Sequence, residues 1–110
     1  KYFTPIINGM EKVVEGEDGT ARNAKIPEVT ICGKTGTAEN PHGEDHSIFI
    51  AFAPKENPKI AIAVYIENGG WGSTWASPIG SLIIDKYLNK KIHNKDLETF
   101  IMNGDLINKK

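Results

Sequence analysis

The sequence predicts an α+β fold, an antiparallel three-stranded meander with a preceding helix and a C-terminal helix packed on the sheet. Three apolar runs with strand character are joined by short, turn-rich connections, which favours antiparallel pairing of neighbours. On each side of them lies a segment whose apolar residues recur at helical spacing. The 110 residues are the size of one small domain, and with 13 basic and 14 acidic side chains they give no reason to expect a nucleic-acid partner.

The first helix is predicted over about residues 5–15. Thr4 can cap its start, Pro5 suits the first helical position, and Gly16 ends it. Four apolar residues share one face, which we expect to pack against the core: Ile6, Met10, Val13 and Val14.

The strands are predicted over about residues 28–37, 46–53 and 59–67. Cys32 is the only cysteine, which excludes an internal disulfide, and we expect it to be a buried thiol. The second strand is apolar on both faces, so we expect cover on both sides. The third has a bulky face of isoleucine and valine and a small face, Ala61 and Ala63, that a helix could approach closely.

A helix is predicted over about residues 74–89 and a short one over about 95–102. Trp71 and Trp75 frame the preceding glycine-rich turn, where they could line a ligand groove, although packing of the helix onto the sheet is favoured. The connection after the first strand contains His42, Glu44, Asp45 and His46. Because Pro41 and Gly43 oppose a helix there, a solvated connection is favoured over a metal site.

The stretch Lys34-Thr35-Gly36-Thr37 is the main candidate for function. A strand that carries an ammonium, two hydroxyls and a glycine suits an anionic, peptide-like ligand, since the charge and hydroxyls can bind a carboxylate. The alternative is an edge strand whose lysine discourages aggregation. A phosphate-binding P-loop is excluded, because it needs glycine where this chain has Glu28.

Four ordered segments resemble the class B penicillin-binding proteins, within them the elongation-type penicillin-binding protein 2 group: GKTGTAE at 33–39, FIAFAP at 49–54, IAV at 62–64 and ENGG at 67–70. Lys-Thr-Gly is one of the sequence motifs of the serine enzymes that react with penicillins. The resemblance covers roughly residues 5–90. It implies that residues 1–110 are the C-terminal portion of a transpeptidase domain, a fragment of the penicillin-binding/serine β-lactamase-like fold.

The resemblance also implies an activity, the cross-linking of peptidoglycan stem peptides through an acyl-serine intermediate, with acylation by β-lactams. Lys34 and Thr37 would be catalytic, the latter through an oxyanion-binding main-chain N–H. The substrate-binding set would be Lys34, Thr35, Gly36 and Thr37. No cofactor or metal is implied.

The chain departs from the family pattern because it contains neither Ser-x-x-Lys nor Ser-x-Asn. We therefore expect this fragment to be inactive alone. It starts with Lys1 and has no membrane segment, and the resemblance places its parent protein at the periplasmic face of the bacterial inner membrane. Expected partners are the D-Ala-D-Ala stem peptide, β-lactam antibiotics and the upstream part of the same domain.

Two alternatives stay open. One is a non-catalytic β-lactam-sensing or binding module of the same fold, and the other is a small structural α+β adaptor whose Lys-Thr-Gly is coincidental. In the family, the third strand of this chain pairs with a strand upstream of Lys1. Its exposed apolar edge predicts association with the missing segment, an intermolecular sheet or a strand-swapped homo-oligomer.

Overall fold

The computed structural model describes residues 3–104. It contains three helices, one short 3-10 turn at Arg22–Ala24 and one sheet of strand order β1-β2-β3, with both pairs antiparallel. The predicted fold class is confirmed. In chain order the helices and strands are α1 (Phe3–Glu15), β1 (Cys32–Ala38), β2 (His46–Ala53), β3 (Ile60–Ile66), α2 (Ala76–Asn89) and α3 (Lys95–Met102).

The core lies between α2 and the face of the sheet that carries Phe49, which is fully buried. The helix comes very close here, because a Cβ added to Gly80 would lie 2.7 Å from Phe49 Cδ2 and 2.9 Å from Ile62 Cδ1. The expectation that a helix packs on the small face of β3 is therefore wrong. Ala61 and Ala63 are exposed, and α2 packs on the bulky face because Gly80 leaves room for large side chains.

Helix α1 packs against β1 and makes polar contacts with residues that flank β1 and β2, among them a hydrogen bond from Lys55 Nζ to Asn8 Oδ1 at 3.0 Å. Glu15 Oε2 accepts a hydrogen bond from the Ile31 N–H at 2.9 Å, and Lys55 Nζ lies 2.6 Å from Glu11 Oε1. The hydrogen bond to Glu11 raises the pKa of the Lys55 ammonium. These contacts fix the last two turns of α1 beside β1.

The apolar face predicted for α1 is only partly buried. Val14 is fully buried, whereas Ile6 is 60% exposed, because only the C-terminal half of the helix reaches the core. Thr4 is not a cap, since the helix already includes Phe3. On the sheet, Ile50 is 46% exposed, so the expectation that β2 is covered on both faces is wrong for the described residues.

Strand β1 begins at Cys32, four residues later than predicted. The preceding residues form a tight turn in which the Val29 N–H bonds to the Ile26 carbonyl at 3.2 Å. Glu28 has a φ of 67°, and Pro27 precedes it, the arrangement of a type II turn. This turn therefore keeps the β-prone residues that follow it out of the hydrogen-bonded pairing between β1 and β2.

Candidate functional site

The predicted site lies on β1, at one edge of the sheet. Among the described residues β1 pairs only with β2, so the backbone of its other side is available to a ligand. Lys34 pairs with Ile50, while Thr35 pairs with Phe49. Side chains alternate along a strand, so Lys34 and the two threonines leave it on opposite faces, but the Lys34 ammonium bends back over this edge to the Thr35 carbonyl.

The Lys34 side chain is exposed, and its Nζ donates a hydrogen bond to the Thr35 carbonyl at 2.8 Å. Within residues 3–104 no carboxylate forms an ion pair with it. The side chain borders a cleft of about 540 Å³ between β1, α1 and the loop that follows α1. Glu17 and Asp18 line the same cleft, but neither is paired with Lys34, so its ammonium is available to an anionic ligand.

Thr35 has a partner that the sequence did not reveal. Its hydroxyl lies 3.2 Å from the hydroxyl of Thr20, in the loop between α1 and the 3-10 turn. Fifteen residues separate the two threonines in the chain. Thr20 also borders the cleft beside Lys34.

Thr37 is held by the turn between β3 and α2. The Gly72 N–H donates to Thr37 Oγ1 at 3.4 Å. Gly72 lies directly over the strands, since an added Cβ would be 2.5 Å from the Ile48 carbonyl oxygen and 2.6 Å from that of Gly36. Only glycine fits this crossing.

The buried hydroxyl of Ser47 anchors the same turn. Its Oγ donates to the Trp71 carbonyl at 2.9 Å and accepts from the Ala76 N–H at 3.2 Å, which joins the turn to the start of α2. Gly36 differs from Gly72. A Cβ there would meet Ile48 Cβ at 3.6 Å, an ordinary contact, so packing within the described residues does not require this glycine.

The two tryptophans have separate environments. Trp71 is 72% exposed, which contradicts the favoured prediction that it packs the helix onto the sheet. Trp75 stacks on Phe100, with ring centroids 5.3 Å apart and an interplanar angle of 18°. It therefore holds α3 against the start of α2.

The histidine-containing connection is a hydrogen-bonded loop. His46 Nδ1 accepts the Asn68 N–H at 3.0 Å, and its ring stacks on Tyr65. Asn40 Nδ2 bonds to Asn68 Oδ1 at 2.5 Å, and the Gly70 N–H donates to the Asp45 carbonyl. No group of three or more histidine, cysteine or acidic residues within 3–104 is placed to hold a metal ion.

Two further titratable groups lie away from this edge. Burial raises the pKa of the Cys32 thiol, which keeps it protonated and a poor nucleophile. Burial also raises the pKa of Asp85, but hydrogen bonds from Asn89 and from the backbone and ring of His93 outweigh it, so that pKa lies below its ordinary value. A larger cavity of about 720 Å³, beside His93, contains none of the predicted site residues.

The arrangement at β1 is suited to binding a carboxylate and the backbone next to it. It offers a cation, oriented hydroxyls and an open strand edge. The sequence predicts the four residues of the strand as the site. It did not identify Thr20, Ser47 or Gly72, because their contacts with the strand join distant segments.

The sequence matches the family model described as the penicillin binding protein transpeptidase domain over residues 1–85. It is 36% identical over 100 residues to peptidoglycan D,D-transpeptidase MrdA of Haemophilus influenzae, covering 76% of this chain and 15% of that protein. It is 41% identical over 97 residues to PbpA of Mycobacterium tuberculosis, covering 78% and 18%.

Solved structures agree with these matches. Pseudomonas aeruginosa PBP2 superposes with a TM-score of 0.70 at 38% identity, covering 82% of this chain and 20% of that one. Penicillin-binding protein A of M. tuberculosis, solved as an imipenem acyl-enzyme complex, gives a TM-score of 0.63 at 40% identity, covering 79% and 18%. In all four comparisons, the matched region is no more than 20% of the relative's own length.

Proposed function

This chain belongs to the penicillin-binding protein transpeptidase family, and we propose that it supplies one wall of the active site of a peptidoglycan D,D-transpeptidase. The resemblance to class B enzymes of the penicillin-binding protein 2 group is confirmed by relatives named MrdA and PbpA. The observation that carries the proposal is the exposed β1 edge, where Lys34 is unpaired with any described carboxylate and two threonine hydroxyls lie within hydrogen-bonding reach of fixed neighbours.

The ligand recognised at this edge would be the D-Ala-D-Ala end of a stem peptide, or a β-lactam in its place. Lys34 would attract the terminal carboxylate, and Thr35 and Thr37 would donate hydrogen bonds to it, which are stronger when the acceptor is charged. Gly36 would admit the ligand backbone. The space found at Gly36 supports this role, because the protein itself does not fill it.

The reaction would be acyl transfer at a serine supplied by the part of the domain outside this chain. The serine oxygen forms a bond to the carbonyl carbon of the D-Ala-D-Ala amide, and the terminal D-Ala leaves with a proton on its amine. An amine of a neighbouring stem peptide then displaces the serine and closes the cross-link. The Thr37 N–H would bind the oxyanion, a contribution typically worth about 2.7–4 kcal/mol.

The proposed substrate indicates the cellular location of the domain. Peptidoglycan lies outside the cytoplasmic membrane, so we place this domain on the periplasmic face of the inner membrane, in a parent protein that builds the wall during elongation and maintains cell shape. Among residues 3–104, the structure has no helix with the length and apolar character to cross a bilayer.

The free edge of β3 supports a partner strand. Within the described residues β3 pairs only with β2, and Tyr65 on its outer face is 59% exposed. We propose that the upstream part of the same domain completes the sheet, and that the isolated chain associates through this edge instead. Light scattering of the isolated chain at high concentration checks this, and a monodisperse monomer would contradict it.

The test of the function uses the longer protein with its natural upstream sequence. Intact mass after incubation with benzylpenicillin should rise by one drug molecule per chain. Lys34→Met should slow this acylation strongly, whereas Lys59→Met, at an exposed loop lysine, should not. The isolated 110-residue chain should gain no mass. Absence of an adduct on the longer protein, or a Lys34→Met variant as fast as the parent, would refute the proposal.

A β-lactam-sensing module would also be acylated, so a second assay is needed. A transpeptidase should consume a D-Ala-D-Ala donor peptide and an acceptor amine and release free D-Ala, as followed by mass spectrometry. Acylation by penicillin without any cross-linked product would favour the sensing module. The family match over residues 1–85 argues against a coincidental Lys-Thr-Gly in an unrelated adaptor.

A further inference from the structure

We infer that Thr20 is a positioning residue of this site, because its hydroxyl fixes the direction of the Thr35 O–H. The inference rests on the proposed function, in which Thr35 donates to a ligand carboxylate. The two hydroxyl oxygens lie 3.2 Å apart. No motif of the sequence assigns a role to Thr20.

The backbone around Thr20 is held on both sides. A Cβ added to Gly19 would lie only 2.2 Å from the Val13 carbonyl oxygen, so this glycine is pressed against the last turn of α1. Ala21 is fully buried, and its N–H donates to the same Val13 carbonyl at 2.9 Å. The backbone of Thr20 is therefore fixed by the contacts of its two neighbours with α1, although its own side chain is exposed to solvent.

The single proton of each hydroxyl limits which threonine can donate in the hydrogen bond between Thr20 and Thr35. Each threonine has one O–H donor and can accept through its oxygen. If Thr35 donates to Thr20, its only proton is used and the ligand finds no donor. When a carboxylate occupies the site, the Thr20 O–H donates to Thr35 Oγ1, and Thr35 donates to the carboxylate. A chain of this kind polarises its members and strengthens the outer hydrogen bond.

This arrangement makes Thr20 selective for a charged acceptor. Its effect passes through the Thr35 O–H, whose hydrogen bond to a carboxylate is stronger than one to a neutral carbonyl, so the effect should become much smaller when the ligand offers no carboxylate. A residue with a merely structural role would affect every ligand alike. The ligand charge is therefore the variable that separates the two roles.

The experiment again uses the longer protein and measures the second-order rate constant of acylation. Thr20→Val removes the hydroxyl at nearly constant shape and should slow benzylpenicillin by about 3- to 10-fold, the loss expected for one hydrogen bond. Thr20→Ser keeps the hydroxyl and should restore most of the rate. Thr99→Val, at an exposed threonine of α3, serves as the matched control and should have no effect.

Two comparisons identify the route of the effect. With penicillin methyl ester, whose neutral carbonyl is a weaker acceptor than a carboxylate, Thr20→Val should slow the reaction much less than it does with benzylpenicillin. In a Thr35→Val background, Thr20→Val should cause no further loss with benzylpenicillin. An equal loss with both ligands, or losses that multiply in the double variant, would overturn the inference.

The outcomes also separate this inference from the proposed function. If Thr35→Val slows benzylpenicillin and Thr20→Val does not, Thr20 has no positioning role while the site itself stands. If neither Lys34→Met nor Thr35→Val slows acylation, the proposed site is wrong and the role of Thr20 falls with it.

Discussion

Replacement of Gly72 by alanine should displace the turn that covers β1. The added Cβ would be 2.5 Å from the Ile48 carbonyl oxygen, 2.6 Å from the Gly36 carbonyl oxygen and 3.1 Å from the Gly36 nitrogen. All three are backbone atoms of the sheet, so no side chain can rotate away. The turn must move outward instead, taking the Gly72 N–H away from Thr37.

The cost can be estimated from these contacts. Forcing an extra methyl group into a packed region costs about 1–3 kcal/mol. Movement of the turn also weakens the hydrogen bond from the buried Ser47 hydroxyl to the Trp71 carbonyl, at about 1 kcal/mol. We therefore expect a loss of about 2–4 kcal/mol in the free energy of unfolding, which lowers the Tm by roughly 8–16 °C.

Thermal unfolding followed by circular dichroism measures this change, with Gly36→Ala as the matched control. Its Cβ has an ordinary 3.6 Å contact, and alanine in a strand is roughly 0.5–1 kcal/mol better than glycine, so its Tm should stay level or rise slightly. In the longer protein, Gly36→Ala should nevertheless slow acylation. A Gly72→Ala variant as stable as Gly36→Ala would refute the packing argument.

Three further predictions concern the core and α3. Asp85→Asn should cost about 1–3 kcal/mol, because the buried carboxylate accepts three hydrogen bonds. Since the folded state lowers the pKa of Asp85, its stabilising effect is present above about pH 4 and is lost on acidification; urea titrations should show less pH dependence in the variant. Gly80→Ala should lower the Tm despite its better helix propensity, because the new Cβ meets the Phe49 ring at 2.7 Å. Phe100→Ala should expose Trp75 and shift its fluorescence to longer wavelength, and an unchanged spectrum would show that the stacked rings do not persist in solution.

The order of the strands could be predicted because short connections leave few choices. The sequence does not predict which face of β3 is buried, because both faces are apolar. Large side chains could pack on the alanine face, and small ones on the isoleucine face. Gly80 decides between them, by allowing α2 to approach large side chains. The role of this glycine cannot be recognised from the sequence, because it depends on the position of Gly80 on α2 opposite Phe49.

The candidate site could likewise be predicted only in part. Lys34 to Thr37 form one continuous motif, so the sequence contains the groups that would touch a ligand. Their supports come from other segments, Thr20 from the loop after α1 and Gly72 from the turn before α2. Spacing along the chain carries no signal for such contacts, because they depend on how the helices pack against the sheet.

The connection between β1 and β2 offers a place to attach a reporter group. His42 is exposed at its tip, so a fluorophore on a cysteine introduced there would extend into solvent. The same loop is joined through Asn40 to Asn68, at the start of the turn that ends over Thr37. A dye there should sense any movement of the turn, which would give a continuous optical signal for binding of the proposed ligand without a chromogenic substrate.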